Sequence, residues 1–195
     1  HLILKQGVRL LIPQGHGEWG LNVLYMLVQQ NLPDYEIQIH SYDDFMIKDG
    51  KYTFDRLRMS RAIEGCKSRI ELALHDRSKK VVVIAANPNY KFGHVQTFET
   101  IAVKKRCKSA IIRFIPDTLD LAIRLGAGNA KETPANVFER TYKHIVLFQN
   151  PSDEVHFQSD SSVVGMLTFC VTGEEEDIEL PTTSRAFAEK QAKGV

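Results

Sequence analysis

The sequence predicts an α/β domain built on a mostly parallel sheet. Three observations predict it. Short apolar runs of strand length recur along the chain, helical patterns separate them, and one run, Val81-Val82-Val83-Ile84-Ala85-Ala86, is apolar throughout. A strand that is apolar on both faces belongs inside a parallel sheet covered by helices on both sides. Strands alternating with helices build βαβ units.

Taken in order, Val8–Pro13 reads as the first strand. A glycine-rich turn follows it, and Val23–Gln30 reads as a helix. Tyr35–His40 alternates apolar and polar residues and reads as the second strand. Phe54–Arg77 reads as one long helix anchored by Leu57, Ile63, Ile70, Leu72 and Leu74. After the apolar strand at Val81–Ala86 comes a helix over Val95–Arg106, with Phe98, Ile101 and Ala102 at helical spacing. Ala110–Ile115 is a fourth strand. Thr118–Leu125 and Ala135–His144 are shorter helices, with Gly126 as a stop and Pro134 in a first turn. Ile145–Phe148 reads as a fifth strand and Val163–Val171 as one more. Residues 1–150 are expected to form the main domain, and 151–195 a C-terminal strand with an acidic, mobile extension.

The turn after the first strand carries the sharpest functional signal. Gly15-His16-Gly17-Glu18-Trp19-Gly20-Leu21-Asn22 lies between strand and helix, the layout of a phosphate-binding loop with the pattern G-x-x-x-x-G-K-[ST]. Gly15 and Gly20 stand at the two glycine positions. Leu21 replaces the Lys that grips phosphates, and Asn22 replaces the Ser/Thr that binds Mg²⁺. Glu18 adds a negative charge and Trp19 adds bulk. Phosphoryl transfer needs neutralised phosphates and a held Mg²⁺. Removing the cation removes a preorganised charge on the order of several kcal/mol in the transition state.

Composition bounds the partners. The chain has 195 residues and a formal net charge of +1. No apolar run reaches the length of about 18 residues that spans a bilayer, and no signal peptide is visible, so the expected setting is nuclear or cytoplasmic without membrane contact. Cys66, Cys107 and Cys170 form neither a disulfide framework nor a zinc pattern, and the seven histidines, His16 and His94 included, form no metal pattern. The charge is uneven. Residues 51–113 hold fifteen Lys/Arg and five Asp/Glu, whereas residues 150–195 hold three and nine. A basic middle suits an acidic partner such as RNA, or is masked by the acidic tail. Gly-x-Ser-x-Gly is absent, which disfavours an α/β-hydrolase.

Several weak matches in one order then resemble a family. The loop frame is the first. Ser41-Tyr42-Asp43-Asp44-Phe45, with Asp49-Gly50-Lys51-Tyr52-Thr53-Phe54-Asp55 after it, is the second. Val83-Ile84-Ala85-Ala86-Asn87-Pro88-Asn89 is the third, with Ala86 where an acid is expected. Leu121-Ala122-Ile123-Arg124 and Thr133-Pro134-Ala135-Asn136-Val137-Phe138-Glu139-Arg140 form the fourth. Over residues 7–144 the chain resembles the polynucleotide kinase-like branch of P-loop proteins, which includes end-healing kinases and the kinase-like half of the myelin cyclic-nucleotide phosphodiesterase. The phosphodiesterase half itself is not expected, because no His-x-[ST] pair occurs.

The resemblance implies a three-layer P-loop kinase-like fold. It implies Asp43 as general base, and Gly15, Gly17, Gly20, Leu21 and Asn22 at the nucleotide. Arg124, Lys131 and Arg140 would be lid cations on phosphates. Arg56, Arg58, Arg61, Lys104, Lys105 and Arg106, with Tyr52, Phe54 and Tyr90 nearby, could hold nucleic acid. The departures fall on the catalytic positions. The expected function is therefore a catalytically impaired domain that binds RNA, a protein partner or both, with no metal site and no cofactor, Mg-ATP entering only if the loop still works. The alternative is a divergent 5′-hydroxyl polynucleotide or nucleoside kinase using Asp43.

Overall fold

The computed structural model describes residues 4, 6–15, 18–127, 133–147 and 163–171. Five parallel strands form the central sheet: β1 (Val8–Gln14), β2 (Glu36–His40), β5 (Val81–Ala85), β6 (Lys108–Pro116) and β7 (Val163–Val171), in the order β2-β5-β1-β6-β7. The short strands β3 (Ile47–Lys48) and β4 (Lys51–Tyr52) form a separate antiparallel hairpin. Its Asp49-Gly50 turn has positive φ at both residues, the geometry that joins two strands most tightly.

The helices are α1 (Glu18–Asn31), α2 (Met59–Ala73), α3 (Phe92–Lys105), α4 (Leu119–Ala127) and α5 (Ala135–Leu147). Alternation along the strands divides the core into two. Leu10, Ile12, Val81, Val83, Ala85 and Ile111 face α2 and α3, where they meet Cys66, Ile70, Val95 and Phe98. Leu11, Val82, Ile84, Ala110, Ile112 and Phe114 face α1, where they meet Leu24 and Val28. Helices on both faces of a parallel sheet make three layers, as the apolar run at Val81 anticipates.

Some sequence expectations need correction. Ile145-Val146-Leu147 ends α5 and is not a strand. Phe138, Thr141 and Ile145 are buried, a helical spacing that outweighs the β-branched run. The long helix expected from Phe54 starts only at Met59. Asp55 caps a 3₁₀ turn at Arg56–Arg58 by accepting from the Leu57 N–H. Leu57 and Leu72, read as anchors, are 94% and 77% exposed, and Ala62, Cys66 and Ile70 form the inner stripe instead. Val163–Val171 is a strand as expected, and it pairs with β6, so the sheet continues past residue 150.

Because all five strands are parallel, their C-terminal ends share one pole. The β1–α1 loop, the turn after β2 and the loop after β5 meet there. The α2–β5 and α3–β6 connections lie at the opposite pole.

Candidate functional site

β1 feeds α1 and then β2 on one side of it, whereas β5 feeds α3 and then β6 on the other. Adjacent strands whose connections diverge leave a crevice at their C-terminal ends, the usual ligand position of open α/β sheets. The loop frame and the Ala86–Asn89 segment border this crevice.

Both glycines of the loop frame lie against one residue, Gly15 on the Phe114 backbone and Gly20 on its ring. A Cβ on Gly15, whose φ is +149°, would stand 3.1 Å from the Phe114 carbonyl oxygen. A Cβ on Gly20 would stand 2.9 Å from Phe114 Cδ2. Phe114 is buried and stacks on Phe169, with ring centroids 5.5 Å apart. Packing, with the positive φ of Gly15, therefore accounts for these glycines. Leu21, at the position of the missing Lys, is half-buried and packs on the α1-side core. Asn22 is half-buried. His16 and Gly17 lie outside the described residues.

The crevice floor is tied together. The Gly15 N–H donates to the Pro88 carbonyl at 3.1 Å. Asn89 Nδ2 donates to the Pro13 carbonyl at 2.7 Å and the Ala85 carbonyl at 3.0 Å. Gln14 Nε2 donates to the Asn89 carbonyl at 3.0 Å. Asn89 adopts positive φ, 47°, which asparagine tolerates better than most residues. Gln14 Oε1 and Asn89 Oδ1 are buried acceptors without a hydrogen-bond partner among the described residues.

The acidic turn is tied as firmly. The Asn87 carboxamide oxygen accepts from the Tyr42 N–H at 2.9 Å and from the Ser41 hydroxyl at 3.3 Å. Asp44 accepts from the Ser41 N–H at 3.0 Å, completing a capping box, and pairs with Arg69 at 3.6 Å. Arg69 in turn lies 4.5 Å above the Phe45 ring. Asp43 accepts from the Ser41 hydroxyl at 3.3 Å. Burial, with Asp43's charge and hydrogen bond, pushes the Tyr52 hydroxyl up to about 12. Burial chiefly pushes the nearby Cys66 thiol up to about 12. Both groups stay protonated at neutral pH.

The lid residues are less organised. Arg124 pairs with Asp120 at 3.1 Å, with both side chains exposed. Arg140 is exposed, and Lys131 is outside the described residues. α5 is held by other groups: buried Arg113 donates to the Ile145 carbonyl at 3.0 Å, and the Tyr90 and His144 rings lie 5.4 Å apart. Arg113 and Gln14 escaped the sequence reading, which quoted Asn89 only as part of the third motif. A polar residue at the end of one apolar strand and a lone charge inside another were the signal for them.

The basic residues do not form one group. Arg56, Arg58 and Arg61 precede or begin α2 at the crevice pole, whereas Lys104 and Lys105 end α3 and Arg106 follows at the opposite pole. Lys104 and Lys105 pair with Glu71 at 2.8 and 3.7 Å near the end of α2. That helix has 15 residues, so about 20 Å separates the two groups. No cluster of metal-ligating side chains occurs among the described residues, nor a helix long and apolar enough to cross a membrane.

No protein-family model matches the chain. No curated protein matches it either. Among solved structures it is similar to a candidate kinase from Chloroflexus aurantiacus j-10-fl, at 16% identity over 97% of this chain and 99% of that one, with a TM-score of 0.51. It is also similar to Chaetomium thermophilum Kti12 in complex with ADP-AlF3, at 12% identity over 94% and 97% of the two chains, with a TM-score of 0.48. The chain has a P-loop kinase-like α/β fold.

Proposed function

We propose that this domain is a catalytically impaired member of the P-loop kinase-like fold that serves as a binding module for RNA, a protein partner or both. The observation that carries the reading is Leu21, a half-buried apolar side chain packed against the core where the phosphate-gripping cation is required. Other contacts support it. The Gly15 N–H already has an acceptor in Pro88. Ala86, in place of an acid, packs on the same core as Leu21. Asp44 is engaged in capping and in an ion pair. A loop with these occupations offers a triphosphate little charge compensation.

The test is calorimetry of Mg-ATP and Mg-GTP with the intact chain, together with a phosphotransfer assay on 5′-hydroxyl RNA. The expected result is no binding at millimolar nucleotide and no turnover. Turnover that disappears in Asp43→Asn would replace this reading with a divergent polynucleotide kinase.

A further inference from the structure

The pole away from the crevice is where positive charge accumulates. The segments 71–80 and 104–108, which lead into β5 and β6, together hold seven Lys/Arg and two Asp/Glu. At the crevice pole, the stretch 43–61 holds five Lys/Arg and four Asp/Glu. The two basic segments are physically joined. Arg77 Nη2 donates to the Lys105 carbonyl at 3.3 Å, and Arg9 Nη2, from β1, donates to the Asp76 carbonyl at 2.9 Å. Of the acids in these segments, Glu71 is paired with Lys104 and Lys105, and Asp76 accepts from Ser78 at 2.6 Å. The α1–β2 connection and the start of β2 add Asp34, 4.0 Å from Lys80, and Glu36.

α2 and α3 both end here, so part of the charge complements their dipoles. More remains. Lys79, Arg106 and Lys108 are exposed. Arg106 follows α3 with a φ of 50°, which turns the chain sharply before β6. Neither segment contains Phe, Tyr or Trp. Tyr35, on the α1–β2 connection beside Lys80, is half-buried against the α1-side core. A surface of clustered cations with so little aromatic platform grips phosphates rather than bases.

We propose that this pole is the RNA-binding surface of the protein, holding the phosphate backbone without sequence preference and apart from the nucleotide-type crevice. The assignment rests on the binding-module reading and gives its RNA contact a location. Any nucleotide bound in the crevice would leave the surface unobstructed.

The experiment is fluorescence anisotropy of the full chain with a labelled single-stranded RNA of about 20 nucleotides, titrated between roughly 50 and 200 mM salt. The far-pole variant is Lys79→Gln/Lys104→Gln/Arg106→Gln/Lys108→Gln. The control is Lys48→Gln/Lys51→Gln/Arg56→Gln/Arg61→Gln, which removes the same number of exposed charges at the crevice pole. Circular dichroism checks that both variants fold. The native chain is expected to bind oligo(U) and oligo(C) alike. The far-pole variant should lose at least about tenfold in affinity, and its log–log salt slope should flatten by about 3, from about 0.7 per lost phosphate contact. The control should change far less.

Loss in the control and retention in the far-pole variant overturns the assignment while leaving RNA binding intact. Absence of RNA binding by the native chain overturns both the assignment and the RNA part of the function. Equal competition by poly-glutamate would assign the pole to acidic proteins and also overturn it.

Discussion

Gly20 and Phe114 are in direct van der Waals contact across the α1–β6 boundary, and a single methyl group on Gly20 would collide with the ring. Phe114 cannot retreat easily, because it is buried and stacked on Phe169. Gly20→Ala is therefore expected to destabilise the chain by about 1–3 kcal/mol. Phe114→Leu, costly alone, should recover part of that loss in the double variant. Urea unfolding of the four chains measures the coupling. Strict additivity would show that the ring is not the obstacle.

Asn89 holds β1 and β5 together from the loop between β5 and α3. Asn89→Gly keeps the positive φ accessible but removes the side-chain donor to the Pro13 carbonyl, whereas the Ala85 carbonyl keeps the Asn87 N–H at 2.8 Å. The expected cost is about 1–3 kcal/mol, that of one buried group losing its hydrogen bond. Chemical denaturation reads it. A loss below about 0.5 kcal/mol would mean that water replaces the carboxamide without penalty.

Leu21→Lys restores the residue that the loop pattern requires, yet it should not restore nucleotide binding. The side chain belongs to the α1-side core, so the change is expected to lower stability by roughly 1 kcal/mol or more. Millimolar Mg-ATP should leave the melting temperature of both native and variant chains unchanged, because a ligand stabilises only when its concentration approaches its Kd. A nucleotide-dependent rise confined to the variant would show that the crevice lacks only its cation.

His40 sits at the end of β2, where burial first and Arg69 second hold its pKa below the ordinary 6.5. The folded chain thus disfavours the imidazolium form, while the unfolded chain takes up the proton near the ordinary value. Stability is full above that value and falls as pH drops through it, until the folded-state pKa is reached. His94 is shifted in the same direction by burial and Lys91. Denaturant midpoints between neutral and mildly acidic pH should fall, and His40→Gln/His94→Gln should flatten the profile. An unchanged slope in the double variant would assign the acid sensitivity to other groups.

Much of the architecture was legible because period and composition speak for strands that are buried on both faces. Val81–Ala85 and Lys108–Pro116 could hardly be anything else. Ile145–Leu147 misled because a short apolar run with two β-branched residues looks the same in a strand and at the end of an amphipathic helix. Leu57 misled because a leucine beside a helix start looks like an anchor until the cap at Asp55 places it outside. The glycine positions Gly15 and Gly20 were plain in the sequence. Their contact with Phe114, about 95 positions away in sequence, depends on strand order, which local patterns do not encode. The splitting of the basic residues between two poles has the same origin.

β7 places nine residues alongside β6 as the outermost strand of the sheet. A chain cut at residue 150 would strip that strand away and leave β6, apolar and built for the interior, as a raw sheet margin. Unsatisfied N–H and C=O groups on an apolar strand recruit strands from other molecules. The shortened chain is thus expected to self-associate into β-rich aggregates, whereas one that extends past Val171 keeps the margin covered.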